Sequence, residues 1–262
     1  MFVTTPDHLL QAVRFGTAGP AFVASGGWIG SWELWQDPFA SMHERWRCVG
    51  FDHRGTGSSA TTGGRALGTS PDELVDDLVH VLDHFEIDRC VLAGTSFGAT
   101  SCLRAAQRLA HRVQALVLVG AVTDLSPSGP AHLLDGAAAD WPTAVGRFVD
   151  AAIVEPDSDH VKAWARQILA RAQPEVALAV LEGHAAPGAL PALDEMHVPT
   201  LLLHGQLDQV VPIAEAQRAA DAIPGAELVE VGGAGHLPTL TKPHLVVDLI
   251  DTWARRRLDL AL

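Results

Sequence analysis

The chain has 262 residues with 31 acidic against 18 basic side chains, a formal charge of −13 at pH 7. Nucleic-acid affinity depends on Lys and Arg neutralising phosphates, so nucleic acid is excluded as an expected partner, and a polyanionic substrate would need a local basic pocket. Apolar residues at 48% and charged residues at 19% exclude a disordered chain and supply a sizeable core, which at this length reads most simply as one domain.

In chain order, a hairpin of residues 2–4 and 9–15 opens the sequence, followed by short apolar strands over 21–24, 46–51, 89–93, 113–119, 200–204 and 227–231. Helical patterns alternate with them, which predicts an α/β fold with a mostly parallel central sheet flanked by helices. The clearest helix starts at Ser70-Pro71-Asp72-Glu73, where Ser70 caps, Pro71 suits the first helical position and Glu73 completes a capping box. Leu74, Leu78, Leu82 and Phe85 then repeat at helical spacing. Further helices are expected over 97–111, 213–223 and 242–256. Between the strands at 113–119 and 200–204 the chain turns Ala-rich, with Trp141, Trp164 and the breakers Pro127, Pro130, Pro142, Pro156 and Pro174. A structureless loop of that length is improbable, so residues 123–197 read as a helical cap inserted into a core of 1–122 and 198–262.

Cys48, Cys90 and Cys102 form no CxxC pair and read as buried thiols. The N-terminus lacks a basic segment followed by an apolar one, and no apolar run is long enough to span a bilayer, so no membrane association and a cytoplasmic location are expected.

The strongest chemical signal is Gly94-Thr95-Ser96-Phe97-Gly98, a G-x-S-x-G pentapeptide between the apolar strand ending at Ala93 and a helix. The bare pattern also describes an ordinary Gly-rich turn with a capping serine. Here it occupies the strand–turn–helix junction that lifts a nucleophilic hydroxyl out of a sheet, and the helix N-terminus favours an oxyanion.

An activated serine needs a base. Of thirteen histidines, His236 lies in Gly232-Gly233-Ala234-Gly235-His236, just past the last strand. His53 is a lesser candidate on another strand-end loop, whereas His80, His84 and His111 read as structural or solvated. The acid that orients the base is Asp208, in the loop after strand 200–204, with Asp124 as its rival after strand 113–119. The order Ser96, Asp208, His236 is the one found in α/β-hydrolases.

These pieces resemble the α/β-hydrolase superfamily, and within it the small capped serine hydrolases of the enol-lactone hydrolase, haloperoxidase-like esterase and aminoacrylate hydrolase type. The likeness spans nearly the whole chain: residues 26–31, the Asp52-His53-Arg54-Gly55-Thr56-Gly57-Ser58-Ser59 turn, Gly94 to Gly98, His204 to Asp208, and Gly235-His236. The resemblance implies that the Asp52 turn is architectural and that the 26–31 loop supplies an oxyanion donor. This chain has Gly26-Gly27 where the family commonly opens that loop with His-Gly, so the register is open by one residue: the assignment is the Trp28 N–H with the Phe97 N–H, and Gly27 is the alternate for the first. Ser96 separates the chain from haloalkane dehalogenases and epoxide hydrolases, which use aspartate there, and the chain contains no Tyr to serve as the cap tyrosines of epoxide hydrolases.

The chemistry implied is acyl transfer to water without metal or organic cofactor, on a small and largely apolar molecule. Carboxylic ester or lactone cleavage comes first, with carbon–carbon bond hydrolysis of a diketone-like compound and thioester hydrolysis as alternatives on the same triad. A non-catalytic ligand receptor on the same fold is the reading from another class. Trp28, Trp141 and Trp164 are the candidate substrate-binding residues; with them Ile153, Val154, Leu169, Leu178 and Leu181 are consistent with an apolar chamber, although docking an amphipathic cap accounts better for most of them. The sequence leaves homo-oligomerisation open.

Overall fold

A computed structural model describes residues 1–29, 31–61, 69–123, 137, 139–185, 188–260 and 262. Among them, nine strands make one sheet in the order β1-β2-β4-β3-β6-β7-β8-β9, with β5 paired to β2. The opening hairpin is β1 (Phe2–Thr4) and β2 (His8–Phe15), and β2 runs antiparallel to β4 (Arg47–Phe51). From β4 the sheet is parallel through β3 (Ala21–Ser25), β6 (Cys90–Thr95), β7 (Val113–Val119), β8 (Thr200–Gly205) and β9 (Glu227–Val231). The short β5 (Ala60–Thr61) was not expected from the sequence, because two residues carry no period.

Every residue of β3, β6 and β8 is buried, as befits parallel strands covered on both faces. On one face Phe22, Trp35, Phe39 and Trp46 interlock, their ring centroids 5.5 to 6.5 Å apart. The other face buries Val23 and Leu92 against the apolar stripes of α2 (Pro71–His84) and α3 (Phe97–Arg108). The capping box of α2 forms as its sequence dictates: Glu73 N–H reaches Ser70 Oγ at 3.4 Å and Ser70 N–H reaches the Glu73 carboxylate at 3.1 Å. Arg104 of α3 then holds Asp72 by two bonds of 2.9 Å. Cys48, Cys90 and Cys102 are buried and unbridged, and burial pushes the first two thiols up to about 12.

Two pieces went unread in the sequence: a 3-10 turn (Trp32–Trp35) continuing into α1 (Gln36–Met42), and α8 (Pro238–Thr241) before α9 (Pro243–Leu258). Both are too short to show a helical period, and tertiary packing makes them helical. Between β7 and β8 lie α4 (Trp141–Ala152), α5 (Asp159–Leu169) and α6 (Pro174–Ala185). The prolines mark their limits: Pro142 opens α4 behind the Asp140 cap, Pro156 separates α4 from α5, and Pro174 begins α6. The remaining helix, α7 (Ile213–Ala222), follows β8. No helix among the described residues is long and apolar enough to cross a membrane.

Candidate active site

Ser96 occupies the turn between β6 and α3 with φ 54° and ψ −123°, a conformation that an L-residue adopts only when its surroundings impose it. The imposition is visible. A methyl group on Gly98 would collide with the Gly26 carbonyl, and one on Gly94 would meet the first turn of α3. The two glycines of the motif therefore let strand, helix and the Gly26-Gly27 segment converge on one serine. Phe97 opens α3, where the first N–H groups have no partner within the helix.

Asp208 sits in the loop between β8 and α7, its side chain 1% exposed. Its Oδ1 accepts the Val210 and Val211 N–H groups at 2.8 and 2.9 Å, and its Oδ2 lies 2.7 Å from His236 Nδ1. Burial by itself would raise this carboxyl, but the facing His236 and the Val211 N–H together hold it below the usual carboxylate range. His204 Nε2 stands 3.4 Å from the same Oδ2 while bonding the Val211 carbonyl at 2.9 Å. On the far side of the His236 ring, Nε2 is buried with no hydrogen-bond partner among the described residues.

Ser96 and His236 line one small cavity of about 20 Å³, room for roughly one water. Gly27, Trp28, Ile29 and Leu34 complete its core side, and Phe148 of α4, Leu169 of α5 and Leu237 close it. A Cβ built on Gly27 would stand 3.5 Å from Ser96 Cβ, so this residue rests directly against the serine. Trp28 is buried at the cavity wall, and its indole N–H donates to the Ala177 carbonyl of α6 at 2.7 Å.

The other two tryptophans are placed differently from the sequence expectation. Trp141 packs edge-on behind Trp28 at 5.6 Å and is not among the cavity-lining residues. Trp164 is 37% exposed in an outer groove of about 320 Å³ with Glu33 and Asp37. The reason is helical phase: α5 buries Ala165, Ile168 and Leu169, which turns position 164 outward, and α4 presents Phe148 rather than its first residue. Phe148 was missed in the sequence although it falls on the 144, 145, 148, 149, 152 stripe of α4. Leu169 lines the cavity, whereas Leu178 packs partly buried against the core.

His53 lies against the end of β3, its Nε2 3.2 Å from Ser25 Oγ and 3.4 Å from the Gly26 carbonyl, and burial pushes it down to about 4. Asp52 accepts the Trp32 and Ser58 N–H groups at 3.2 and 2.7 Å, a turn-holding part. Asp124, the rival acid, lies outside the described residues.

Comparison with known proteins agrees with this fold. The chain is 26% identical over 250 residues to the pimeloyl-[acyl-carrier protein] methyl ester esterase of Nitrosomonas europaea, covering 89% of this chain and 95% of that one. It is 24% identical to 3-oxoadipate enol-lactonase 2 of Acinetobacter baylyi, over 97% of this chain and 96% of that protein. A thermophilic esterase from Thermogutta terrifontis superposes with a TM-score of 0.83 at 25% identity, covering 97% and 96% of the two chains. The model of the serine aminopeptidase S33 family matches residues 36–239, more than half of the sequence. With its parallel sheet, its glycine-flanked serine turn and this match, the chain belongs to that family of hydrolases within the α/β-hydrolase superfamily.

Proposed function

We propose that the protein cleaves a carboxylic ester or lactone of a small, largely apolar molecule through a Ser96–His236–Asp208 triad and an acyl-enzyme. The observation that carries this reading is the bare Nε2 of His236, buried in the wall of the cavity that Ser96 lines, while Nδ1 of the same ring is committed to Asp208 at 2.7 Å. In this mechanism Ser96 Oγ attacks the carbonyl carbon as its proton passes to His236 Nε2. The Asp208 carboxylate stabilises the imidazolium, which returns the proton to the leaving oxygen; a water then repeats the sequence on the acyl-serine. The developing oxyanion is held by the Phe97 N–H and by an N–H of the 27–28 loop, for which the contact of Gly27 with Ser96 favours Gly27 over Trp28.

The apolar wall favours an ester or lactone over an aminopeptidase substrate. A peptide's protonated amino terminus needs a carboxylate, and none lies among the described cavity-lining residues. The relatives' esterase and lactonase names point the same way. Diketone and thioester substrates share the triad and are the competing arms of the test.

The test is a panel of chromogenic esters, lactones, thioesters and β-diketones assayed with wild type and Ser96→Ala, with mass spectrometry for the acyl-serine. Ester or lactone turnover that falls by about 10⁴ to 10⁶ in the mutant is expected. A mutant that keeps a tenth of wild-type activity overturns Ser96 as nucleophile. Preferred diketone turnover moves the protein to the carbon–carbon hydrolases, and binding of the panel without turnover supports a receptor.

A further inference from the structure

The loop that carries His236 is fastened to the cap as well as to the core. Ala152, the last residue of α4, offers its carbonyl to the His236 N–H at 2.7 Å. That carbonyl is free because the residue four positions on is Pro156, which has no N–H to continue the helix. Three residues beyond Ala152, Glu155 accepts the Gly235 N–H at 2.8 Å and the Thr241 hydroxyl at 2.6 Å on Oε1, and the Val154 N–H at 3.0 Å on Oε2. The approach is close: a Cβ on Gly235 would stand 2.6 Å from the Ala152 carbonyl oxygen. One turn back on α4, Phe148 sets its ring edge-on to the imidazole, with centroids 6.3 Å apart.

None of these bonds reaches the reacting atoms. They hold the segment on which the imidazole is mounted, on both sides of His236, and the acceptors come from the last residue of α4 and the turn that follows it. Hydrogen bonds to a carboxylate are about twice as strong as neutral ones, which makes Glu155 the principal tie. We propose that Glu155 is a positioning residue for His236, keeping the ring on its line between Asp208 and Ser96 while α4 is docked; this rests on the reading of His236 as base. The cap therefore contributes to the alignment of the base as well as to the cavity wall.

Glu155→Ala, Glu155→Gln and Glu155→Asp test the proposal in the full-length protein, with folding followed by circular dichroism and urea unfolding. Misplacement of a catalytic group by about an ångström costs on the order of 10²-fold, so Glu155→Ala is expected to lower kcat about 10- to 100-fold with KM nearly unchanged. Glu155→Gln, whose amide oxygen can still accept from Gly235 and Thr241, should restore most of the loss. Glu155→Asp, charged but one methylene short, should show a smaller loss and serves if the alanine variant does not fold. The second readout needs no turnover: the downfield proton resonance of His236 Nδ1–H, identified by its disappearance in His236→Ala, should weaken in Glu155→Ala and persist in Glu155→Gln. Folded alanine or aspartate variants with wild-type kcat and an unchanged resonance overturn the proposal while leaving the triad intact. Wild-type activity in Ser96→Ala or His236→Ala would instead remove the underlying mechanism, and the proposal with it.

Discussion

Among the described residues, two buried histidines stand within 3 Å of an aspartate carboxylate, and only the pair at His236 shares a cavity with a serine. His8 of β2 meets Asp77 of α2 at 2.9 Å, and His236 meets Asp208 at 2.7 Å; in both pairs the side chains are almost fully buried. Their surroundings differ. Arg54 grips Asp77 through two bonds of 2.7 Å, and the remaining nitrogen of His8 faces Thr5 Oγ1 at 2.9 Å. No Arg or Lys among the described residues bonds Asp208, and the remaining nitrogen of His236 has no partner among them. A buried polar atom left unpaired costs about 1–3 kcal/mol, and in the proposed mechanism the open nitrogen of His236 is the one that takes the serine proton. Cavity size would have pointed elsewhere: the groove beside His8 and Asp77 measures about 430 Å³, against about 20 Å³ at Ser96.

Removing the acid from each pair should separate them most widely. Asp208→Asn is expected to lower kcat by about 10⁴-fold with little change in unfolding free energy, because the amide no longer selects the working imidazole tautomer. Asp124→Asn should leave kcat near wild type. Steady-state kinetics on one ester checks both, and the opposite ranking would move the acid to Asp124. Asp77→Ala should do the reverse, destabilising the fold by about 3–5 kcal/mol through the uncompensated Arg54 while the folded fraction keeps its kcat. Urea unfolding with an activity assay on the same sample reads both quantities.

A pH series sharpens the contrast more gently. Burial alone would raise the Asp77 carboxyl, but the bonds and charges of His8 and Arg54 leave it below its ordinary value of 3.8. A carboxyl depressed in the folded state binds protons more readily when unfolded, so its stabilisation is present in full above the unfolded value and is lost as pH falls through the folded one. The stability gap between wild type and Asp77→Asn should therefore hold steady near neutrality and shrink below that value; a gap that widens in acid contradicts the assignment. The smallest effects belong to the tryptophans of α4 and α5. Trp141→Ala removes the ring behind Trp28 and should alter the kcat/KM ranking of esters of increasing acyl length by about 1–3 kcal/mol. Trp164→Ala, on the outer groove, should scale all esters alike.

What was legible in the sequence is what neighbouring residues decide among themselves. The capping box at Ser70, the apolar runs of the strands and the glycines around Ser96 act within a few residues, so their patterns announce α2, the sheet and the serine turn directly. That Ser96, Asp208 and His236 each follow a strand end was legible for the same reason. The 3-10 turn at Trp32–Trp35, α1 and α8 were not legible, because segments of four to seven residues form helix only when the core packs against them.

Tertiary structure decided which side chains meet. Thirteen histidines are alike in sequence, and only the folded chain leaves His236 Nε2 bare beside Ser96 while enclosing His8 between Thr5 and Asp77. The phase of α5 sends Trp164 outward and Leu169 inward, a choice set by how the helix docks and not by the hydrophobicity of either residue. The bond from Glu155 to Gly235 spans 80 positions of chain. No local pattern encodes a contact between segments that far apart, because its geometry exists only once the loop past β9 and the turn past α4 have met in the folded chain.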